Sequence, residues 1–252
     1  MRLRSKIAWI TGAGSGIGKS AAIALAKEGA SVVLSGRREA PLREVASAIT
    51  ADGGTAEVKA ADLADASAAS RIAAEIRARF GRLDILVNNA GVNIARRSWK
   101  ELDASGADQV LYGNLSNAFY CVLAALPIMR AQKDGVLIHT ASIAGRIVGG
   151  FPGPIYSAAK HGVVAMSHSI NMQEGINGIR STVFLPGEVA TPILDKRPNP
   201  VGPEERARMV QSEDCGDLIR YIACLPKHLV MSEVMLAPAH NRTYIANLQQ
   251  KL

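Results

Sequence analysis

Thr11-Gly12-Ala13-Gly14-Ser15-Gly16-Ile17-Gly18 follows the short apolar run Ile7–Ile10 and leads directly into an alanine-rich segment. Glycines in a turn between a strand and a helix let the backbone approach a pyrophosphate, and the positive end of the helix faces its charge. A glycine-rich turn alone is weak evidence, because such motifs are common. Its position between a strand and a helix strengthens it, and it predicts a dinucleotide loop at the start of an α/β domain.

Short β-rich runs alternate with longer amphipathic segments along the whole chain, a pattern typical of a doubly wound parallel sheet. The predicted strands are Ile7–Thr11, Ser31–Ser35, Ala56–Ala60, Ile85–Asn88, Val136–Thr140, Thr182–Leu185 and Val234–Ala237. The predicted helices lie near 17–28, 39–50, 67–79, 107–131, 156–176 and 213–224. Since the chain shows neither an internal repeat nor a linker, we predict a single Rossmann-type domain over 1–252.

A proline-rich stretch interrupts this rhythm, with prolines at 186, 192, 198, 200 and 203. Proline limits the conformations of a loop. The stretch follows a predicted strand, so it should lie over the carboxyl edge of the sheet, where such folds bind ligands. We predict a substrate-covering loop over about 186–212 with a short helix at 203–211; an ordinary surface connection is the alternative.

Composition and charge narrow the function classes. The chain has 252 residues, of which 48% are hydrophobic and 20% charged, so a well-packed globule is expected. The formal net charge of +7 admits nucleic acid as a partner, but the basic residues occur in scattered pairs such as Arg37-Arg38 and Arg96-Arg97. A solvated surface and an anionic cofactor explain this charge better than nucleic-acid binding does.

The cysteines and the amino terminus bear on location. Cys121, Cys215 and Cys224 lie in predicted helices without a metal-binding spacing, and an odd number of thiols fits a reducing compartment. The start Met-Arg-Leu-Arg-Ser-Lys lacks the apolar core of a signal peptide. With no apolar run expected to reach the length of a membrane span, we predict a soluble, cytoplasmic protein and no metal site.

Tyr156 and Lys160 are four residues apart in Tyr156-Ser157-Ala158-Ala159-Lys160, so one helix face would carry both side chains. A tyrosine hydroxyl titrates at about pH 10 in water, but a nearby ammonium group favours the phenolate and lowers that pKa. Such a pair suits proton transfer at neutral pH. Any helix can carry a Tyr and a Lys at this spacing; together with the glycine-rich loop, however, the pair predicts hydride transfer between a nicotinamide dinucleotide and a carbonyl or alcohol.

Over essentially its whole length the chain resembles the short-chain dehydrogenases/reductases. The glycine spacing is Thr-Gly-x-x-x-Gly-x-Gly, not the commoner Gly-x-Gly-x-x-Gly. The further matching motifs, in chain order, are Asp62, Asn88-Asn89-Ala90-Gly91, Asn114, Ser142, Tyr156-x-x-x-Lys160, Pro186-Gly187 and Thr191.

The resemblance implies a role for each matching residue. Tyr156 would give or take the proton, Ser142 would hold the substrate oxygen, and Lys160 would also hold the nicotinamide ribose. Asn114 would anchor a water that relays protons to bulk solvent. The residues implied in cofactor binding are Gly12, Ser15, Gly16, Ile17, Gly18, Asp62, Leu63, Asn89, Ala90, Gly91, Pro186, Gly187, Val189 and Thr191, with Asp62 at the adenine and Thr191 near the carboxamide.

The end of the second strand indicates which dinucleotide is used. NAD-specific relatives place an acidic residue where this chain has Gly36, and here Arg37 and Arg38 follow. Arginine pairs readily with a 2′-phosphate through charge-assisted, often bidentate contacts. We therefore predict NADP as cofactor, with NAD as the alternative and Arg37 as the stronger of the two candidates.

Three departures from the family pattern stand out. Ser142 precedes Tyr156 by fourteen residues where thirteen is usual, and Val148-Gly149-Gly150 could absorb the extra one. His139 stands where relatives commonly have asparagine; a buried histidine there is expected to be a structural hydrogen-bonding group and not a catalyst. The end Glu233–Ala239 lacks the glycine pair that often follows the last strand, in a region that often forms subunit contacts.

The predicted substrate pocket is mainly aliphatic and suits a ketone or secondary alcohol with an apolar body. Besides Ser142 and Tyr156, the candidates are Ile143, Ala144, Val148, Gly149, Phe151, Ile155, Gly187, Glu188, Val189, Ile193 and Leu194, with Val92, Asn93 and Ile94 from a neighbouring loop. Glu188, Arg96 and Arg197 could each orient a polar group, but are expected to face water. A carboxylated ketone, a steroid, an acyl-thioester ketone and a sugar alcohol all remain open.

The leading hypothesis is an NADP-dependent alcohol dehydrogenase or ketone reductase. A protein that senses NADP(H) without turnover is the alternative, because fold does not guarantee function. The resemblance also implies a dimer or tetramer built on the helices at 107–131 and 156–176. We expect a homotetramer. Apolar residues beyond a single stripe support this: Phe119, Val122, Leu123, Met166 and Ile170.

Overall fold

The computed structural model describes residues 1–196, 201–242 and 245, in which a seven-stranded parallel sheet forms the centre. The strands are β1 (Ile7–Thr11), β2 (Ser31–Gly36), β3 (Thr55–Ala60), β4 (Ile85–Asn88), β5 (Gly135–Thr140), β6 (Ile179–Pro186) and β7 (Glu233–Leu236). Their order across the sheet is β3-β2-β1-β4-β5-β6-β7. The predicted doubly wound α/β fold is therefore confirmed, and the crossover between β1 and β4 opens a crevice at the carboxyl ends of the strands.

The helices lie on both faces of this sheet. They are α1 (Gly16–Lys27), α2 (Glu39–Ala51), α3 (Ala66–Phe80), α4 (Ala104–Leu111), α5 (Asn117–Gln132), α6 (Pro154–Glu174), α7 (Pro203–Ala207) and α8 (Ser212–Ala223). A π-helical turn, Tyr112–Ser116, joins α4 to α5, and 3-10 turns occupy Ile143–Gly145, Gly175–Asn177 and Pro192–Lys196.

Strand side chains alternate between two hydrophobic cores, as the period of two requires. Ile10, Leu34 and Ile138 pack with α1, α2 and α8 on one face. Trp9, Val33 and Leu137 pack with α3, α5 and α6 on the other. Because both faces are covered, the central strands are mainly apolar.

Several predicted boundaries differ from the structure by one to four residues, including those of the helices predicted at 107–131, 203–211 and 213–224. The helix predicted at 107–131 begins at Ala104, because the Asp103 carboxylate accepts a hydrogen bond from Gly106 N at 2.8 Å. The helix predicted at 203–211 ends at Ala207, since Val210 forms a parallel bridge with Val189. Cys224 caps α8 and lies outside it.

The helical stretch Ala104–Gln132 corrects the expectation about membrane-length runs. It is the one helix in the described part of the chain that is long and apolar enough to cross a membrane, with a hydropathy of 1.2 over its best window. Of that window 44% is buried within the protein. Ala125 and Met129 are fully buried in the core of α3, α5 and α6, so this stretch is a core helix of the domain.

The apolar residues cited for subunit contacts divide into two sets. Val122, Met166 and Ile170 are buried in the protein's own core, so they are unavailable to a partner subunit and that part of the expectation is wrong. Phe119 and Leu123 remain exposed on α5.

Candidate active site

The glycine-rich loop takes the conformation that its composition predicts. Gly12 has φ +64°, and a Cβ there would lie 2.9 Å from Ala90 Cα. A Cβ at Gly18 would lie 2.3 Å from the Gly12 carbonyl oxygen. Ser15 immediately precedes α1 and Ile17 lies in its first turn, so the helix amino terminus points at the space beside the loop.

The loop after β4 is tied directly to this turn. Thr11 Oγ1 accepts hydrogen bonds from Asn89 N at 2.9 Å and Ala90 N at 3.0 Å. The Asn89 side-chain amide donates to the carbonyl oxygens of Thr11 at 3.3 Å and Gly12 at 3.4 Å. These contacts hold the Asn88–Gly91 motif against the glycine-rich loop, at the point where the strand order reverses.

A cleft of about 340 Å³ opens beside these two loops. It is lined by Gly12, Gly36, Arg37, Ala61, Asp62, Leu63, Ala64, Ala90, Gly91, Val92, Gln109, Tyr112, Gly113 and Asn117. The lining thus brings together six residues predicted to bind the cofactor: Gly12, Arg37, Asp62, Leu63, Ala90 and Gly91. Arg38 is not part of this lining; it is exposed and precedes α2.

The inner end of the cleft, beside Gly91, leads toward Asn114 and Lys160. A Cβ at Gly91 would lie 2.8 Å from Asn114 Oδ1 and 3.5 Å from Lys160 Nζ, so glycine leaves the space toward Lys160 open. A larger hollow of about 670 Å³ lies between α2 and β3. Its lining contains none of the predicted catalytic residues, and its openness to solvent makes it a surface groove.

Lys160 and Tyr156 meet as their spacing predicted. Lys160 is buried, its Nζ lies 5.5 Å from the centroid of the Tyr156 ring, and it donates a 2.9 Å hydrogen bond to the carbonyl oxygen of Thr140. Burial lowers the pKa of Lys160 to about 8 from its usual value. With that pKa most of the lysine is still charged at pH 7, so a cation lies beside the tyrosine ring.

Ser142 lies just beyond the end of β5, beside the same helix. Its Oγ accepts a 3.1 Å hydrogen bond from Ala144 N, which leaves the hydroxyl hydrogen able to donate to a substrate oxygen. The turn Ile143–Gly145 packs closely on α6, since a Cβ at Gly145 would lie 2.8 Å from the Lys160 carbonyl oxygen. The segment 147–151, which contains Val148-Gly149-Gly150, is exposed throughout, and the placement of the additional residue in it stays a prediction.

Asn114 occupies the middle of the π-helical turn and is buried. Its amide donates to the carbonyl oxygens of Val92 at 2.7 Å and Val110 at 2.8 Å, and Oδ1 accepts from Val92 N at 3.3 Å. The side chain therefore joins the loop after β4 to the turn. Its role in holding a relay water stays a prediction.

The remaining cofactor candidates lie after β6. Gly187 N donates to the Leu236 carbonyl oxygen at 2.8 Å, which continues the sheet edge past Pro186. Thr191 is buried and adjoins the glycine-rich loop, because a Cβ at Gly16 would lie 3.0 Å from Thr191 Cγ2. The Val189 side chain is buried in the core with α1 and α8, so only its backbone can face a ligand.

The apolar substrate candidates fall into two groups. Val148, Phe151 and Ile193 are exposed, and Arg97 stacks on Phe151 at 5.1 Å from the ring centroid. Ile143 is half-buried and adjoins Gly187, since a Cβ at position 187 would lie 3.0 Å from Ile143 Cδ1. Leu194, in contrast, is buried against Val201 and Met209, so its assignment to the pocket was wrong.

Glu188 corrects a further expectation, because it does not simply face water. Its carboxylate accepts from Arg242 Nη2 at 2.6 Å and Nε at 2.9 Å, and Arg242 Nη1 also reaches Glu205 Oε2 at 2.5 Å. This pairing joins positions 54 residues apart, and no sequence motif predicts it. Arg96 is exposed and lies 3.6 Å from Asp103, while Arg197 falls outside the described residues.

His139 has the environment of a structural residue. It is fully buried in β5, and Nδ1 lies 3.2 Å from the Asn88 side-chain amide of the neighbouring strand. Burial lowers the pKa of His139 to about 3, so the imidazole is neutral at physiological pH. A neutral ring beside an amide donor accepts at Nδ1 and carries its hydrogen on Nε2.

Several cleft residues, among them Gln109, Tyr112 and Asn117, were not predicted from the sequence. Tyr112 precedes Asn114 by two positions and Gln109 precedes it by five, and the spacing of three between this pair, which places them on one helix face, was the available signal. Thr140 was also missed, because a backbone carbonyl has no sequence signature.

Comparison with known proteins supports this site. A family model described as short chain dehydrogenase matches residues 6–201. The chain is 34% identical over 196 residues to a 3beta-hydroxysteroid dehydrogenase from Mediterraneibacter gnavus, covering 77% of this chain and 70% of that protein. It is 35% identical over 221 residues to a cyclohexanol dehydrogenase from an Acinetobacter species, covering 83% and 87% respectively.

Solved structures agree. A metagenomic short-chain oxidoreductase in complex with NADP superimposes with a TM-score of 0.83 at 29% identity, covering 96% of this chain and all of that one. Levodione reductase superimposes with a TM-score of 0.86 at 26% identity, covering 93% of this chain and 97% of that one.

The fold, the glycine-rich loop and the paired tyrosine and lysine define a nucleotide-binding oxidoreductase of the Rossmann type. The chain belongs to the short-chain dehydrogenase/reductase family. It is an NAD(P)-dependent enzyme that acts on alcohol or carbonyl groups of small molecules.

Proposed function

We propose that the protein interconverts a ketone and a secondary alcohol with NADP(H), and that Tyr156 exchanges the proton. The observation that carries this proposal is the buried Lys160 ammonium beside the Tyr156 ring, at the end of a cleft lined by the nucleotide motifs. The dinucleotide supplies or accepts the hydride when bound.

The chain's own residues then have distinct tasks. In reduction, Tyr156 gives its hydroxyl proton to the carbonyl oxygen while the carbonyl carbon gains the hydride, and the product is an alcohol. Lys160 stabilises the phenolate that is left, and Ser142 holds the substrate oxygen through its free hydroxyl hydrogen. Asn114 is proposed to hold the water that restores the proton.

NADP is the proposed cofactor because of one lining residue. The exposed Arg37 lines the cleft beside Gly36, the position where NAD-specific relatives carry an acidic residue, and its guanidinium can pair with a 2′-phosphate. The solved relative with NADP is consistent with this choice.

The substrate is proposed to have an apolar body, since the pocket candidates Val148, Phe151 and Ile193 expose aliphatic or aromatic surface. Cyclohexanol and a 3β-hydroxysteroid, which the names of two relatives suggest, are the first compounds to test.

We also propose that the protein acts in the cytoplasm. Cys121, Cys215 and Cys224 are free and buried, which suits the reducing cytoplasm. We further propose a homo-oligomer, a dimer or tetramer, in contact through the exposed face of α5.

The test combines cofactor titration with one substitution. Purified protein is titrated with NADPH and NADH by nicotinamide fluorescence, and turnover is measured on the two compounds above. Tyr156→Phe should keep the NADPH dissociation constant within about twofold and lower turnover by about 10²–10⁴-fold, because only the proton-transfer group is removed.

The matched control is Tyr221→Phe on α8, an exposed tyrosine that does not line the cleft, and it should leave turnover unchanged. Near-normal turnover of Tyr156→Phe would refute its assigned role. Preference for NADH would overturn the cofactor assignment alone, and binding of NADPH without turnover of any carbonyl or alcohol would favour a sensing protein.

A further inference from the structure

The outer wall of the cleft contains two side chains that have no assigned role. Gln109 and Tyr112 lie three positions apart at the end of α4 and the start of the π-helical turn, and both line the cleft. The cleft is also lined by the segment Ala61–Ala64, which includes Asp62 and Leu63. The adenine ring of a dinucleotide is the flat group that would lie between these two walls.

Tyr112 is 48% exposed and lines the cleft, so part of its surface is open to a ligand. An exposed aromatic face beside a nucleotide cleft offers a surface on which a base can stack. The Asp62 carboxylate on the other side is oriented by a 3.1 Å hydrogen bond from Ala64 N.

Tyr112 is nevertheless held in a fixed backbone position. Its carbonyl oxygen accepts from Asn117 N, five residues later, and the Asn117 amide donates to the Gly113 carbonyl oxygen at 2.8 Å. The neighbouring Asn114 amide is bonded on both sides of the turn, to Val92 and Val110. An aromatic ring on such a rigid turn loses little entropy on binding.

We propose that Tyr112 forms the outer wall of the adenosine subsite and stacks on the adenine ring, while Gln109 hydrogen-bonds the edge of the base. This inference rests on the proposed function, since it assumes that the cleft takes a nicotinamide dinucleotide. It identifies the π-helical turn as a binding element for the cofactor as well as the support of Asn114.

The experiment measures binding without turnover. Affinities for NADPH, by fluorescence, and for adenosine 2′,5′-bisphosphate, by calorimetry, are compared between wild type, Tyr112→Phe and Tyr112→Leu. Tyr112→Leu should weaken both ligands by about tenfold, because both contain the adenine ring. Tyr112→Phe keeps the ring and should stay within about twofold. Tyr221→Leu replaces a tyrosine of similar exposure, 50%, which lies on α8 outside the cleft lining, and it should change neither affinity.

The outcomes separate the two proposals. Unchanged affinities in Tyr112→Leu would overturn the stacking role. A loss of affinity for NADPH but not for adenosine 2′,5′-bisphosphate would overturn it too, because it would indicate a disturbed Asn114. A changed native mass with unchanged affinities would assign Tyr112 to a subunit contact instead. If wild type binds NADPH but Tyr112→Leu binds it equally well, the proposed function stands and this inference falls; wild type that binds no dinucleotide refutes both.

Discussion

Lys160 shows how much of a site is visible in a sequence. Its position four residues after Tyr156 predicted the meeting of the two side chains, because helical periodicity is short-range and regular. Its other partner, the Thr140 carbonyl 20 residues away, was not predictable. A main-chain oxygen carries no identity in the sequence, and only the packing of α6 on β5 decides which carbonyl the lysine reaches.

Arg37 is the residue on which the cofactor prediction depends. Arg37→Ala should weaken NADPH by about ten- to a hundredfold and leave NADH within about threefold, since only NADPH has a 2′-phosphate to pair with the guanidinium. Dissociation constants from nicotinamide fluorescence provide the measurement.

Arg38→Ala is the matched control for this prediction. Arg38 carries the same charge one position later but is absent from the cleft lining, so its loss should have less than a threefold effect on either cofactor. Equal losses of NADPH and NADH affinity in Arg37→Ala would remove the argument for phosphate recognition.

At the scale of elements, the central strands and most helices were predicted within a few residues because their apolar periodicity is strong. The π-helical turn was not, since the stretch from 107 to 131 reads as one continuous helix. An inserted residue changes neither composition nor periodicity enough to be detected, although it repositions Tyr112 and Asn114. The pairing of Glu188 with Arg242 was missed for a different reason: it joins two loops whose approach only the tertiary fold determines.

The carboxyl ends of α5 and α6 are joined by one ion pair, which gives a prediction at this scale. The Arg130 guanidinium bonds both oxygens of the buried Glu174 carboxylate and lowers the pKa of Glu174 to about 2 from its usual 4.5. This contribution to stability is therefore complete above about pH 4.5 and lost as the pH falls through about 2. Glu174→Gln should lower the free energy of unfolding by about 1–2 kcal/mol at pH 7, with a difference that shrinks toward pH 2.

Urea denaturation at pH 7, 4 and 3 measures this difference. Glu39→Gln removes an exposed pair with Arg43 on α2 and should change stability by less than about 0.5 kcal/mol at any pH. A Glu174→Gln effect that stays constant from pH 7 to pH 3 would show that charge is not its cause.

For the molecule as a whole, the exposed face of α5 is the feature that the single chain leaves unexplained. Phe119 and Leu123 lie four residues apart with 42% and 63% of their side chains exposed. Apolar residues grouped on one helix face favour a partner surface. A second copy of this chain is the partner that the family resemblance implies.

The double substitution Phe119→Glu and Leu123→Glu should therefore lower the native mass of the protein. Each subunit would bring two negative charges, so four would face one another across a two-fold contact. Sedimentation or light scattering at several protein concentrations measures the mass. Leu229→Glu changes another exposed leucine, between α8 and β7, and should leave the mass unchanged. A wild-type protein that is already monomeric would contradict this prediction.

The place of β1 in the sheet has a consequence for how the chain is made. Every residue of β1 is buried, and the strand pairs with β2 on one edge and with β4 on the other. During synthesis, β1, β2 and β3 leave the ribosome first, but the second edge of β1 stays open until Ile85–Val87 has emerged. The half that carries the nucleotide loop therefore cannot complete its core without the half that carries Ser142 and Tyr156. Cofactor recognition and proton chemistry are thus not separable modules that could be cut apart and exchanged between proteins.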